Sequence, residues 1–242
     1  MISASRGTAG RKHEMPTNGR HVSVCIPAKD EAETIEEIIT GCRPHADHLF
    51  VVDGHSRDAT RDIASALDVP VYLDAGRGKG CAVREAIARA EGDILVTIDA
   101  DMSFDPEDIP ALVAPVANGE AEYATGSRMR GGSDELHGDF DKFLRMMGQD
   151  IITLGINYRF GVRLTDSQSG FRAFDLAAAR SITLKEDITT TEQEMIIKFL
   201  RKGYRVAEVP THEYASRRER SHISLRRHGA RYVYSWLRYM FF

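Results

Sequence analysis

The chain has 242 residues, 42% hydrophobic and 28% charged, with a formal net charge of −4. That length and apolar content suit one large α/β domain with a real core and exclude a fibrous or wholly disordered chain. The charge is uneven: residues 201–242 hold ten Arg/Lys against three Glu, so they carry +7 and the remainder −11, which suggests an anionic partner met on one side.

Residues 1–20 are polar, with Gly7, Gly10, Pro16 and Gly19, and read as a disordered tail. Strands are predicted at 22–26, 48–52, 69–73, 94–98 and 121–125, alternating with helices at 31–40, 57–67 (Ser56 as N-cap), 81–90 and 106–117. Repeated β-α-β units imply a mostly parallel sheet with helices on both faces. After Gly126 the pattern changes. Residues 128–138 read as a mobile glycine-rich loop, 139–160 as a long helix, 165–170 as a polar loop and 191–202 as a helix. A strand at 204–209 and a terminal helix at 225–242 follow. Three cysteines, Cys25, Cys42 and Cys81, show no metal spacing and close no disulfide framework, so a reducing, cytoplasmic compartment is expected. No apolar run approaches the roughly 18–20 residues of a spanning helix.

Ligands of such sheets lie at the carboxyl ends of the strands. Asp30, Asp53 and the pair Asp99 and Asp101 all fall at or just past predicted strand ends, so three acidic sites are expected to face one crevice. Asp99-Ala100-Asp101 follows a buried, β-branched run. In extended chain, residues two apart point the same way, so the two carboxylates are expected to converge. Such an oxygen pair suits Mg²⁺ or Mn²⁺ beside a diphosphate. Lys79, between Gly78 and Gly80, is placed to reach a phosphate across bare backbone.

These segments come in a particular order. Val22 to Glu31 runs strand, Pro27, Ala28 and acidic residues. Val51-Val52-Asp53-Gly54 follows, then Gly78-Lys79-Gly80, Asp99-Ala100-Asp101 and Asp105-Pro106-Glu107-Asp108. Gly126-Ser127-Arg128, Thr165-Asp166-Ser167-Gln168-Ser169-Gly170-Phe171-Arg172, Glu192-Gln193-Glu194-Met195 and Glu208-Val209-Pro210 complete the set. Over about Val22 to Tyr214 this resembles the inverting family 2 glycosyltransferases of the GT-A fold, in particular the dolichyl/polyprenyl-phosphate sugar (mannose) synthase branch.

The resemblance implies a GT-A domain over 21–215, with a nucleotide-sugar half at 21–127 and an acceptor half at 128–215, then a basic and aromatic helix over 216–242. It implies nucleotide contacts from Pro27, Ala28, Asp30, Glu31, Asp53, Lys79, Asp99 and Ala100, and metal ligation by Asp99 and Asp101. Catalytic parts fall to Asp101, Arg128, Asp166 and Glu192, and acceptor contacts to Arg128, Arg145, Gln168, Ser169 and Arg172. In this branch Gly-Gln often follows the Asp-Ala-Asp; Met102 and Ser103 stand here instead, which leaves the third protein ligand open. The implied activity is metal-dependent transfer of a sugar from GDP-mannose or a UDP-hexose to a polyprenyl phosphate. The alternatives are transfer to a hydroxyl of a small molecule or glycolipid, and a non-catalytic partner subunit of a membrane glycosyltransferase.

The arginines and aromatics of 217–242 suit a helix lying in a bilayer interface. Peripheral contact with the inner membrane face, or a membrane partner subunit, is therefore expected. No nucleic-acid partner is expected, since the body is acidic and no recognition motif is present.

Overall fold

The computed structural model describes residues 17–134, 140–217 and 225–241, without the side chains of 140–142, 145 and 225–228. In chain order the elements are β1 Val22–Ala28, α1 Ile35–Cys42, β2 His48–Asp53, α2 Thr60–Ala66, β3 Val71–Leu73, α3 Lys79–Arg89, β4 Ile94–Thr97 and α4 Ile109–Ala117. Then come β5 Tyr123–Ser127, α5 Arg128–Gly131, α6 Phe140–Phe160, β6 Arg172–Asp175, α7 Leu176–Arg180, α8 Thr191–Arg201, β7 Val206–Pro210 and α9 Leu225–Phe241.

The seven strands form one sheet in the order β3-β2-β1-β4-β6-β5-β7. Both faces are covered, and the strands alternate between two cores. Val22, Val24 and Ile26 of β1 and Ile94 and Val96 of β4 pack on one side with Ile35, Ile38, Leu112 and Val116. Cys25 and Leu95 point to the other, with Val83, Ile152, Ile156, Met195 and Phe199. This period of two on both faces explains why the strands read as continuous apolar runs.

β6 was not visible in the sequence, and it matters most for the site. It inserts between β4 and β5, antiparallel to both, with Arg172 opposite Thr97 and Thr125. Because β6 runs backwards, its first residue lies at the edge where β4 and β5 end. The loop before it, Asp166 to Phe171, is thereby delivered to the edge that carries Asp99.

Three expectations are revised. Residues 1–16 of the expected tail lie outside the described residues, but 17–20 are tied to the body: Arg20 Nη2 lies 2.5 Å from Asp175 Oδ2, and Asn18 Nδ2 donates to Asn118 Oδ1 at 2.8 Å. The expected loop from Arg128 begins as the short helix α5, closed by Gly132 N donating to Arg128 O at 2.8 Å; residues 135–139 lie outside the described residues. Finally, β4 ends at Thr97 and the chain turns through Asp99 to Ser103, with Met102 at φ +61°. Asp99 and Asp101 are thus not successive outward residues of one extended strand.

Candidate active site

The loops after β1 and β2 are stitched together at the carboxyl edge of the sheet. Asp30, at φ +55°, accepts from Arg57 N at 2.7 Å, while its own N–H donates to Ser56 Oγ at 2.9 Å. Glu31 N donates to Thr60 Oγ1 at 2.8 Å, and Gly54 N to Ala28 O at 2.8 Å. Asp53 is fully buried; Oδ1 accepts from Ser56 N at 2.9 Å and Oδ2 from the Ser56 hydroxyl. Its first task is to form this turn. A carboxylate retains further lone-pair directions for a ligand. Of the other expected nucleotide residues, Pro27 is half-buried, and Ala28 and Ala100 are buried in the core.

A chain of alternating charge crosses four elements. Lys79 Nζ, at the start of α3, lies 2.7 Å from Asp99 Oδ2 and 3.2 Å from Glu192 Oε1 on α8. Glu192 Oε1 lies 3.3 Å from Arg172 Nη2, and Arg172 Nε donates to Ser169 O at 2.5 Å. Burial alone would lower the Lys79 pKa, but Asp99 and Glu192 hold it well above the usual lysine range. Gly170 lies directly over the pair: a Cβ there would stand 2.3 Å from Asp99 Oδ2 and 2.6 Å from Lys79 Nζ. The side chains of Lys79 and Asp99 are about a quarter exposed, whereas those of Glu192 and Arg172 are interior.

The glycines flanking Lys79 bring another segment close. They admit the 186–187 segment. A Cβ on Gly80 would stand 2.0 Å from Glu186 O, and Gly80 N donates to Asp187 O at 2.9 Å. Asp187 in turn is held by Arg77, Arg84 and Cys81. Burial pushes its carboxyl up, but hydrogen bonds from these three outweigh burial and bring it to about 2.

Asp101 lies apart from this charge chain. Its Oδ1 accepts from Ser103 N at 3.1 Å and its Oδ2 from Ser216 Oγ at 3.1 Å. The segment after β7 folds over this turn, with Tyr214 N donating to Ser103 O at 2.9 Å. Among the described residues no three His, Cys, Asp or Glu converge as a metal cage. Asp99 and Asp101 are the hard carboxylates that this turn carries, and Mg²⁺ is commonly held by one or two carboxylates beside substrate phosphates.

A second buried pair joins α5 to the loop before β6. Arg128 Nε and Nη2 donate to Asp166 Oδ2 and Oδ1 at 2.6 and 3.0 Å, and Nη1 donates to Glu213 Oε1 at 3.1 Å. Burial would raise the Asp166 pKa, but the Arg128 guanidinium outweighs it and holds the carboxyl below its usual range. Glu208 Oε1 accepts from both Thr165 N and Asp166 N at 2.7 Å, fixing the loop from below. Gln168 and Ser169 are buried, and Gln168 Oε1 has no hydrogen-bond partner. Arg128 is engaged by Asp166 and Glu213, whereas Arg172 Nη2, 3.3 Å from Glu192 Oε1, is buried without a hydrogen-bond partner. Drawing either arginine away from its carboxylate would strand a buried charge. Arg145 lies on α6, its side chain outside the described residues.

A family model described as glycosyl transferase family 2 matches residues 23–184. The chain belongs to glycosyl transferase family 2. It is 31% identical over 196 residues to glycosyltransferase AglJ of Haloferax volcanii, covering 79% of this chain and 63% of that protein, so it spans less than two thirds of that relative's length. A UDP-N-acetylglucosamine–dolichyl-phosphate N-acetylglucosaminyltransferase of Methanococcus voltae is 27% identical over 213 residues, 78% of this chain and 84% of that protein. Glucosyl-3-phosphoglycerate synthase from Mycobacterium tuberculosis, solved with Mn²⁺, UDP-glucose and phosphoglyceric acid, superposes with a TM-score of 0.75 at 26% identity over 98% of this chain and 86% of that one. The expected GT-A architecture is the one found.

In this family 2 glycosyltransferase, sequence reasoning missed Ser216 and the division of labour in the Glu-Gln-Glu triplet. Glu192 joins the charge chain, and Gln193 Nε2 donates to Tyr232 O of α9 at 2.8 Å. Glu194, fully buried, accepts from Lys185 N and Glu186 N at 2.8 Å each and so holds the segment that covers the start of α3. Alternation of acid and amide at the first turn of a helix signals three different directions, because successive helical residues point about 100° apart.

Proposed function

We propose that this glycosyltransferase moves a hexose from a nucleotide-diphosphate sugar, GDP-mannose or a UDP-hexose, to a polyprenyl phosphate, by in-line displacement with inversion at the anomeric carbon. The observation that carries the choice of acceptor is the state of the two carboxylates expected to act as a base. Asp166 is locked to Arg128, and Glu192 is held between Lys79 and Arg172. Taking a proton on either would break a buried ion pair. A hydroxyl acceptor needs such a base, whereas a phosphate is already an anion near neutral pH. The Methanococcus relative, named for transfer to dolichyl phosphate, supports the same class.

In this reading Pro27, Ala28, Asp30, Glu31 and Asp53 border the base and ribose, and Lys79 turns from Asp99 to the diphosphate. Asp99 and Asp101 hold Mg²⁺ or Mn²⁺, which when bound neutralises the leaving diphosphate. Gln168, with its orphaned buried carbonyl oxygen, accepts from a hydroxyl of the bound sugar or from the acceptor. Arg128 and Arg172 position Asp166 and Glu192.

The test is sugar transfer from a panel of UDP- and GDP-sugars with Mg²⁺ or Mn²⁺, with and without polyprenyl phosphate, using Asp101→Ala as control. Lipid-linked product that the variant fails to make establishes the reading and names the donor. Donor turnover only with small-molecule acceptors would move the acceptor to a hydroxyl. That second reading is favoured by the solved neighbour, which was crystallised with UDP-glucose and phosphoglyceric acid. Absence of donor binding would overturn both.

A further inference from the structure

An amphipathic surface helix buries its apolar side and turns polar residues to water. α6 and α9 do not follow that rule. Their inner faces are buried in the second core through Ile152, Ile156, Tyr239 and Met240. Yet α6 also leaves Phe143, Met147, Ile151, Leu154 and Tyr158 uncovered, Leu154 by 68% and Tyr158 by 93%. Their spacing of four, four, three and four puts them in one row along the helix. α9 leaves Val233, Tyr234, Leu237 and Phe241 uncovered at similar spacing, and Tyr234, Leu237 and Phe241 line a shallow groove with Arg238. The two helices meet closely at Gly155, where a Cβ would stand 2.1 Å from Trp236 Cζ2. The uncovered rows therefore belong to neighbouring helices of one body. Exposed apolar rows on two adjoining helices mark an interaction face.

Charge selects the occupant. From Ser221 to Phe242 the chain holds Arg226, Arg227, Arg231 and Arg238 and no Asp or Glu. Arg231 and Arg238, seven residues apart, share one side of α9; Arg231 Nη2 lies 3.5 Å from Glu186 Oε2, and Arg238 is exposed beside the groove. A second copy placed on this face would set arginine against arginine, whereas an anionic surface neutralises them. Among the described residues no helix is long and apolar enough to cross a membrane, so the face suits lying on a bilayer.

We infer that the outer rows of α6 and α9 form the surface by which this enzyme rests on an anionic lipid bilayer, with aliphatic and aromatic side chains among the acyl chains and Arg238 at the headgroups. The inference extends the lipid-acceptor reading. Vesicle binding is measured without sugar transfer, so failure of either leaves the other standing.

The experiment is flotation of the full chain with phosphatidylglycerol–phosphatidylcholine vesicles against phosphatidylcholine alone, at low and high salt. Light scattering gives the mass of the free protein. Leu154→Glu and Arg238→Glu change exposed positions, and a thermal melt checks that each variant is folded. Binding to the anionic vesicles that weakens with salt, and by about tenfold in each variant, is expected. No binding to anionic vesicles, or binding that both folded variants retain in full, overturns the inference. So does a dimer in solution that either variant dissociates, because a second copy would then cover the face.

Discussion

Lys79 Nζ lies 2.7 Å from Asp99 Oδ2, so the cation suited to a diphosphate and a carboxylate suited to a metal neutralise each other. In the proposed reading, a diphosphate arriving with its metal would offer each of them a new partner at once. Neither would be left as an unpaired charge before the ligand arrives, or after it binds.

This pairing makes Lys79→Met informative in two directions. With the ammonium gone, Asp99 is available, and Mn²⁺ affinity of the nucleotide-free protein is expected to rise, measured by the free-ion electron paramagnetic resonance signal. Sugar transfer is expected to fall on the order of 10²-fold, the usual loss when one preorganised charge partner is removed. Unchanged Mn²⁺ affinity would mean that Lys79 does not restrain Asp99.

Gly170 and Gly80 offer a matched steric comparison. The atoms that a Cβ at Gly170 would meet are the ends of two flexible side chains, Asp99 and Lys79, whereas at Gly80 it would meet the Glu186 carbonyl at 2.0 Å. Gly170→Ala is expected to displace the pair and cut transfer about tenfold or more, with little change in melting temperature. Gly80→Ala forces backbone apart and is expected to cost about 1–3 kcal/mol. At about 2–4 °C per kcal/mol for a chain of this size, calorimetry resolves that difference.

The parallel half of the fold was legible because β1, β2 and β4 are apolar runs punctuated by Gly, Pro and Asp. β6 was not, because Arg-Ala-Phe-Asp is four residues long, opens with a buried arginine and follows a polar loop. Its place in the sheet depends on non-local pairing with Thr97 and Thr125. The site shows the same division. Asp53, Lys79, Asp99 and Asp166 were found as residue types at strand ends or in loops. Arg128 and Glu192 were named as well, but their pairing with Asp166 and Lys79, like that of Ser216 with Asp101, is set by tertiary contact. Ser216 lies 115 positions from Asp101, a separation over which sequence spacing carries no information.

Arg128 and Asp166 supply the remaining prediction, which concerns stability and its pH dependence. Both are buried, and two of the three guanidinium nitrogens bond the carboxylate. Removing one partner leaves an uncompensated buried charge, so Arg128→Met is expected to cost about 3–5 kcal/mol by denaturant unfolding. Arg128→Met with Asp166→Leu removes both charges and is expected to recover much of that loss. In the native state the Asp166 carboxyl titrates below its usual range, because Arg128 outweighs the effect of burial. The unfolded chain therefore binds more protons than the native one from about pH 4 downward. The contribution of the pair is fully present above that range and is lost as pH falls through the lowered native pKa. The double variant should accordingly lose less stability than the parent between pH 5 and about 2. Parallel acid-unfolding curves for the two proteins would show that the pair does not carry this dependence.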